Sequence, residues 1–292
     1  KELGTEVILY DDVDFPSGVL GGKMTKEFPQ YTQKRLNKEE KDIIGPKKVH
    51  EQIPTKDMFM GVVAMNMENK ERVDLTNLVK DGALIWNAPE GKWKVMSFFL
   101  EYNADSRLDY MDEKAIDHFI SMTYEQYAQR FSDYFGKTVR RSFFDDVGYL
   151  GNSRYWNVAL TKLFERRYKK KAVLYYPALW YNIGTETEAT RIAFYGLRAE
   201  LIGEGYPKKV GEWSTRHDLI SMGHPPGNYE PTAVDMYGDP FKYYRHVPVP
   251  LMDAIHGYPY GRPGFKLISS AAETHDRPNV AVEIYGNYTA DM

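Results

Sequence analysis

Short apolar runs alternate with amphipathic stretches along most of the chain. The first run, residues 6–10, ends at Asp11-Asp12 and then at a Pro-Ser-Gly turn. This pattern suits a buried strand better than a helix. Similar runs predict further strands at 138–144, 219–222, 251–255 and 280–284.

Amphipathic helices are predicted between these strands. The clearest begins at Asp112, a suitable N-cap, and keeps its apolar residues on one stripe until Gly136 ends it. Others are predicted at 155–171, at 186–218 with an interruption near 203–207, and at 265–275. Strands that alternate with helices favour a parallel α/β sheet with right-handed crossovers.

The strand exits favour a barrel over a doubly wound sheet. No Gly-rich phosphate turn follows any strand, and polar residues end each one. We therefore predict a (β/α)8-type TIM barrel that is incomplete in this chain, since about five of its eight strands are visible. The start at Lys1 resembles the end of a helix, so we expect the chain to be part of a longer polypeptide.

A segment of different character follows the first strand. The sequence is charged and irregular to about residue 57, and alternating apolar segments follow. These segments are 58–65, 83–86 and 93–100, with turns at Asp81-Gly82 and Pro89-Glu90-Gly91. We predict that residues 1–45 begin the barrel, that 46–105 form a small β-rich insertion, and that 106–292 continue the barrel.

Composition disfavours several classes of function. The 292 residues include 38 Lys and Arg against 41 Asp and Glu, a net charge of −3 that gives no basic surplus for nucleic acid. No cysteine is present, which excludes disulfides and thiolate chemistry. No apolar run approaches the roughly 20 residues that span a bilayer. Signature motifs of metalloproteases, serine hydrolases and nucleotide enzymes are absent from the sequence.

Carboxylates at strand ends are the candidate catalytic groups. Glycosidic hydrolysis commonly needs one protonated carboxyl group and one ionised carboxylate. Glu283 and Asp146 both end apolar strands, and an unpaired charge at Glu283 would be costly, so it has either a function or a partner such as Arg245 or Arg262. Asp145 and Asp146 alternate in direction, so only one of them can point along the barrel axis while its neighbour supports a loop or a metal.

Asp11 and Asp12 leave the first strand in the same way, and one of them can cap the turn at residues 16–18. The four Asp residues could hold a hard cation such as calcium, although their spacing matches no local calcium loop. His224 can bind a sugar hydroxyl, orient a carboxylate or serve a structural role. The residues expected to contact substrate are His224, Asn228, His256, Asp253 and Asp11.

Several short motifs occur in order along the chain. They are Leu9-Tyr10-Asp11-Asp12 with Phe15-Pro16-Ser17-Gly18 and Gly21-Gly22, Leu108-Asp109-Tyr110, Phe143-Phe144-Asp145-Asp146, Ser269-Ser270-Ala271-Ala272, and Val282-Glu283-Ile284-Tyr285-Gly286. Together they resemble family 106 of the glycoside hydrolases, whose best-known members are α-L-rhamnosidases.

The resemblance implies a multidomain enzyme with a barrel catalytic domain, inversion at the anomeric carbon, two acidic catalysts and a bound calcium. Glu283 matches one catalyst position and Asp146 the other. The chain departs from the pattern where Asp-Glu is expected, since Asp145-Asp146 is one methylene shorter. This departure fits a related glycosidase specificity or a loss of activity. The implied substrate is a plant or microbial oligosaccharide or polysaccharide, and a periplasmic or secreted bacterial location is favoured.

Two other hypotheses compete with an inverting glycosidase. One is a non-catalytic carbohydrate-binding protein on a degenerate barrel, which the 14% aromatic content and Asp146 support. The other is that this chain alone is inert because the closing strands lie outside it. The sequence leaves the acid and base roles unassigned.

Overall fold

A computed structural model describes residues 3–13, 15–53, 58–102, 107–148, 153–227, 233–254 and 261–283. The chain divides into two compact units. Unit 1 comprises Lys1–Gln33, Ala104–Ser153 and Arg198–Met292, and unit 2 comprises Lys34–Asn103 and Arg154–Leu197. Across these described ranges, no helix is long and apolar enough to cross a membrane.

Unit 1 contains a five-stranded parallel sheet. Its strands are β1 (Val7–Tyr10), β7 (Val139–Phe144), β8 (Ile220–Gly223), β9 (Val249–Asp253) and β10 (Ala281–Glu283). Every neighbouring pair is parallel, and the spatial order follows the chain order. All five predicted strands are therefore confirmed, with ends that differ by a few residues.

The strand order is that of a barrel wall, because a doubly wound sheet reverses its order at a switch point. β1 and β10 are the two ends of this sheet, so the described strands make a half-barrel. The fold is mixed α/β, and an eight-stranded TIM barrel stays a prediction.

Helices connect these strands and cover other parts of the chain. They are α1 (Lys23–Glu27), α2 (Glu113–Met122), α3 (Tyr124–Phe131), α4 (Val158–Tyr168), α5 (Thr187–Glu204), α6 (Tyr206–Arg216), α7 (Val234–Tyr237), α8 (Pro240–Tyr244) and α9 (Gly261–Thr274). Short 3-10 segments lie at Leu20–Gly22, Pro29–Tyr31, Thr76–Leu78, Ser132–Tyr134, Ala172–Leu174 and Tyr176–Leu179.

The predicted long helices are confirmed, with two breaks. Asp112 caps α2, since its side chain accepts a hydrogen bond from the Lys114 amide. The helix breaks at Thr123, and α3 begins at the next residue, Tyr124. The predicted interruption between α5 and α6 falls at Gly205, where a Cβ would lie 2.2 Å from the Tyr110 carbonyl oxygen. Only glycine permits that close approach.

Unit 2 contains an antiparallel sheet. Its strands are β2 (Lys34–Gln52), β3 (Phe59–Asn66), β4 (Arg72–Asp74), β5 (Val79–Lys80) and β6 (Ala83–Tyr102). β6 pairs with β2, β3 and β5, and β4 pairs with β3. A buried cluster that includes Val62, Trp86 and Trp93 forms the core on one face.

Two expectations for this region are wrong. The stretch read as irregular is largely the long strand β2, most of whose charged residues are exposed while Leu36, Ile43 and Val49 are buried. Residues 89–91, where a turn is predicted, lie within the continuous strand β6. They lie opposite a register shift between Gly45 and Lys47 in β2.

The structure divides the chain at other positions than the predicted segment boundaries. The predicted boundary between residues 45 and 46 lies inside β2. Residues 154–197, which the sequence places in the continuation of the barrel, group with the antiparallel sheet in unit 2.

Candidate active site

Each strand of the parallel sheet ends in a polar residue. Asp11 follows β1, Asp145 and Asp146 follow β7, and His224 follows β8. Asp253 and Glu283 are the last residues of β9 and β10, and they are register partners in the sheet. Because parallel strands place their carboxyl ends on one edge, these side chains share one rim, where barrel enzymes assemble their sites.

His224 is the centre of this rim. Its side chain is 1% exposed, and its Nε2 atom lies 3.1 Å from Oδ1 of Asp145 and 3.3 Å from Oε2 of Glu283. Its Nδ1 atom lies 3.2 Å from the Pro225 carbonyl oxygen and 3.5 Å from Oδ1 of Asp146. One imidazole ring therefore contacts three carboxylates from two strand ends.

These contacts determine the charge of the ring. Burial opposes the charged form, but hydrogen bonds to Asp145 and Glu283 and the nearby charge of Asp146 outweigh it and raise the pKa of His224 to about 10. The ring is therefore an imidazolium at neutral pH, with an N–H donor on each nitrogen. The ring contacts carboxylates, and its role in orienting them stays a prediction.

Asp146 has an unusual backbone and an unusual acidity. Its φ of 48° lies in the left-handed region, which few residues other than glycine adopt and which is frequent at functional sites. Burial, reinforced by the charges of Asp145 and Asp253, raises the pKa of Asp146 to about 6, even though His224 and Arg107 act in the opposite direction. This carboxyl group can therefore hold a proton near neutral pH.

Asp145 is held at both carboxylate oxygens. Oδ1 contacts His224, and Oδ2 accepts a hydrogen bond from the Tyr10 hydroxyl at 3.0 Å. Burial, together with the Asp145 charge, raises the pKa of Tyr10 above its usual value, so the phenol stays a donor. The ring of Tyr10 also stacks on Phe143, with centroids 5.3 Å apart.

Asp11 lies beneath the surface and is 1% exposed. It accepts hydrogen bonds from the hydroxyl groups of Ser17, Tyr124 and Tyr206, each at 2.5 Å. Burial is the largest effect on this carboxyl group and raises its pKa to about 7. The structure thus encloses Asp11, which the sequence assigns to substrate contact, within three hydroxyl groups.

Asp12 is the residue that caps the turn. Its Oδ2 atom accepts hydrogen bonds from the backbone N–H groups of Gly18, Val19 and Leu20 at 2.7–2.9 Å. This arrangement explains why two adjacent Asp residues follow β1, since one faces the interior and the other orders the loop.

Glu283 is half-buried, with 29% of its side chain exposed. Its partner is His224 and not Arg245, which lies 3.8 Å from Glu204 instead. The side chain of Arg262, the other expected partner, lies outside the described residues. Asn228 and His256, both expected to contact substrate, also lie outside the described residues. Asp253 is buried beside the cluster, where its charge acts on Asp146.

The fit of a calcium ion can be tested on these residues. Asp11 and Asp12 are surrounded by hydrogen-bond donors, which leaves them poorly suited to a cation. Asp145, Asp146 and His224 offer ligand atoms within 4.8 Å of one another. Calcium prefers six to eight oxygen ligands, whereas this group offers two carboxylates and an imidazole nitrogen. The group does not fit calcium, which stays an expectation from the resemblance.

Sequence reasoning missed the hydroxyl donors around the carboxylates. Tyr10, Ser17, Tyr124 and Tyr206 come from four separate places in the chain. Tyr10 and Ser17 lie within the motifs around β1, which was an available signal. Tyr124 and Tyr206 lie on helices with many other aromatic residues, and no sequence pattern distinguishes them.

The chain is similar to a known protein in its fold. No protein-family model matches the chain, and no curated protein matches it. Among solved structures, it is similar to a rhamnosidase from Novosphingobium sp. PP1Y, with 19% sequence identity and a TM-score of 0.57. The match covers 76% of this chain and 23% of the rhamnosidase chain. The chain therefore has a rhamnosidase-like fold.

Proposed function

We propose that this chain carries the catalytic groups of an inverting glycoside hydrolase with rhamnosidase-like activity on plant or microbial oligosaccharides or polysaccharides. The observation that carries the proposal is the contact of one buried imidazolium with three carboxylates at the carboxyl edge of a parallel sheet. The rhamnosidase-like fold supports the same reaction class.

Asp146 is the general acid in this proposal. Departure of an alcohol from a glycosidic bond needs a proton on the bridging oxygen, and an acid with a pKa near the working pH supplies it best. The pKa of about 6 that burial gives Asp146 meets this requirement. The proton moves from its carboxyl group to the bridging oxygen while the bond to the anomeric carbon breaks.

Glu283 is the general base. Its side chain is partly exposed, so water can reach the carboxylate, which removes a proton as the water oxygen attacks the anomeric carbon. Glu283 and Asp146 contact opposite nitrogens of the His224 ring, so the ring stands between them. Inverting enzymes hold their two carboxyl groups about 6.5–9.5 Å apart, and the intervening imidazole ring keeps Glu283 and Asp146 apart from each other.

The charge of the rim supports the same chemistry. The transition state resembles an oxocarbenium ion and carries positive charge on the sugar ring. With Asp146 protonated, the carboxylates of Asp145, Asp253 and Glu283 still outnumber the cations of His224 and Arg107 at this rim. In a poorly solvated site such charge stabilises the transition state more than it would in water.

The experiment is hydrolysis of p-nitrophenyl α-L-rhamnopyranoside, with the first sugar formed identified by proton NMR. The expected product is β-L-rhamnose, released by wild type and not by Glu283→Gln. Release of α-L-rhamnose would contradict the inverting assignment. Saturable binding of rhamnose-containing oligosaccharides with no hydrolysis of any aryl glycoside would favour the carbohydrate-binding protein instead.

A further inference from the structure

We propose that Asp11 is a positioning residue that fixes the carboxylate of Asp145 through the hydroxyl group of Ser17. The inference rests on the proposed function, because it assigns a role to a residue that touches neither substrate nor the proposed acid and base. It also explains a buried carboxylate that the mechanism does not use.

A continuous chain of hydrogen bonds joins the two residues. The Ser17 hydroxyl donates to Oδ1 of Asp11 at 2.5 Å, and the same Oγ atom accepts from the backbone N–H of Asp145 at 2.8 Å. The backbone N–H of Ser17 donates to the carbonyl oxygen of Asp145 at 2.9 Å. Ser17 therefore holds the peptide groups on both sides of the Asp145 Cα.

Asp11 determines which way the Ser17 hydroxyl points. A serine hydroxyl has one proton, and here that proton is directed to Asp11, so the lone pairs of Oγ face the Asp145 N–H. Asp11 cannot turn away, because Tyr124 and Tyr206 donate to its other oxygen. Ser17 is fully buried, so water does not compete for these bonds.

The fixed backbone of Asp145 sets the direction of its side chain. That side chain is aimed at Nε2 of His224, and His224 in turn contacts the proposed acid and base. A displacement of about 1 Å among catalytic groups can cost about 100-fold in rate. Loss of the Ser17 hydroxyl should therefore reduce turnover without removing any group that contacts substrate.

The first test compares two buried serine variants. Ser17→Ala removes the link between Asp11 and Asp145, whereas the control Ser142→Ala removes a buried hydroxyl in β7 that is bonded to Ser214 at 2.9 Å. With p-nitrophenyl α-L-rhamnopyranoside, Ser17→Ala is expected to lower kcat about 100-fold with KM changed less than about threefold. Ser142→Ala should lower Tm by a similar amount and leave kcat unchanged. Equal kcat values in the two variants would overturn the proposal.

A second readout does not depend on turnover. Nitrogen-15 NMR of the imidazole rings, with the His224 signals assigned by His224→Gln, reports the titration of His224. Because Asp145 stabilises the charged ring, Ser17→Ala and Asp11→Asn should both lower the pKa of His224, and Ser142→Ala should not. If Ser17→Ala does not fold, the titration of His224 in Asp11→Asn provides the test. An unchanged pKa of His224 in the folded variants would refute the positioning role of Asp11, even if hydrolysis is observed. A lowered pKa of His224 would support that role, even if no glycoside is cleaved.

Discussion

The Nε2 atom of His224 lies 3.3 Å from Oε2 of Glu283, although 59 positions separate the two residues. They end the strands β8 and β10, which are not neighbours, because β9 lies between them. The contact between His224 and Glu283 therefore spans the carboxyl end of β9. One cation thereby connects the acidic groups of β7 with that of β10.

The first prediction concerns stability. His224→Gln removes the buried cation and leaves its carboxylates without compensation, so it should lower the free energy of unfolding by about 3–5 kcal/mol at pH 6. The folded pKa of about 10 exceeds the ordinary value of 6.5. The stabilisation is therefore complete below pH 6.5 and is lost as pH rises through 10. Urea unfolding of both proteins at pH 6 and pH 10 measures the difference.

His246→Gln is the matched control for this variant. His246 also binds a carboxylate, Oε1 of Glu204 at 2.8 Å, but this pair is partly exposed. Exposed ion pairs contribute up to about 1 kcal/mol, so the control should lose little. Two results would contradict a buried imidazolium. One is that His224→Gln lowers the free energy of unfolding as little as His246→Gln does, and the other is that its effect grows with pH.

The parallel sheet was predictable because its strands are short apolar runs closed by polar residues. The pattern at 138–144 identifies β7, and the carboxylates that follow it mark the sheet edge of the candidate site. β2 was not predictable in the same way, since its charged residues are exposed and its pairing with β6 involves residues far along the chain. Such pairing is a tertiary property that local periodicity does not contain.

The sequence predicts which polar residues lie at the edge of the sheet. It does not predict which of them contact one another. Glu283 was expected to need a function or an arginine partner, and the structure gives it His224. Which of Asp11 and Asp12 faces inward depends on the direction of each side chain after the strand. The sequence does not encode that direction in any short pattern, and neither does it indicate the left-handed backbone of Asp146.

The second prediction separates the proposed base from other carboxylates. Glu283→Gln keeps the size and one acceptor oxygen of the side chain but cannot take a proton from water. It should lower kcat at least about 100-fold, the lower range for loss of general base catalysis, with little change in Tm. Glu204→Gln, a surface carboxylate next to Lys208, is the control and should retain full activity. Turnover by Glu283→Gln at the wild-type rate would remove Glu283 from the mechanism.

The third prediction concerns the alkaline limb of the pH profile. Asp146 must be protonated to assist the leaving group, so kcat/KM should fall as pH rises above about 6. Asp146→Asn should abolish this limb. It should also impair cleavage of rhamnosyl disaccharides far more than cleavage of the p-nitrophenyl glycoside, because p-nitrophenolate departs with little protonation. Equal losses on both substrates, measured at several pH values, would exclude Asp146 as the acid.

The fourth prediction concerns the backbone that carries His224. A Cβ at Gly223 would lie 2.4 Å from the Phe144 carbonyl oxygen, and φ there is 158°. Gly223→Ala should therefore destabilise the protein by more than the roughly 1–2 kcal/mol that positive φ alone costs an alanine. Gly22→Ala is the comparison, because φ is 85° and nothing lies near its Cβ. Thermal unfolding measures the stability of both variants. An equal loss in the two would contradict a steric clash at Gly223.

The last prediction concerns the buried carboxyl group of Asp11. Its folded pKa of about 7 lies above the ordinary 3.8, so the folded state holds a proton that the unfolded state releases between these values. The contribution to stability is complete below pH 3.8 and is lost as pH rises through 7, with a slope of about 1.4 kcal/mol per pH unit. Asn cannot titrate, so Asp11→Asn should gain stability relative to wild type as pH rises from 4 to 8. Urea unfolding across this range tests the sign, and a difference that does not vary with pH would show that Asp11 is charged throughout.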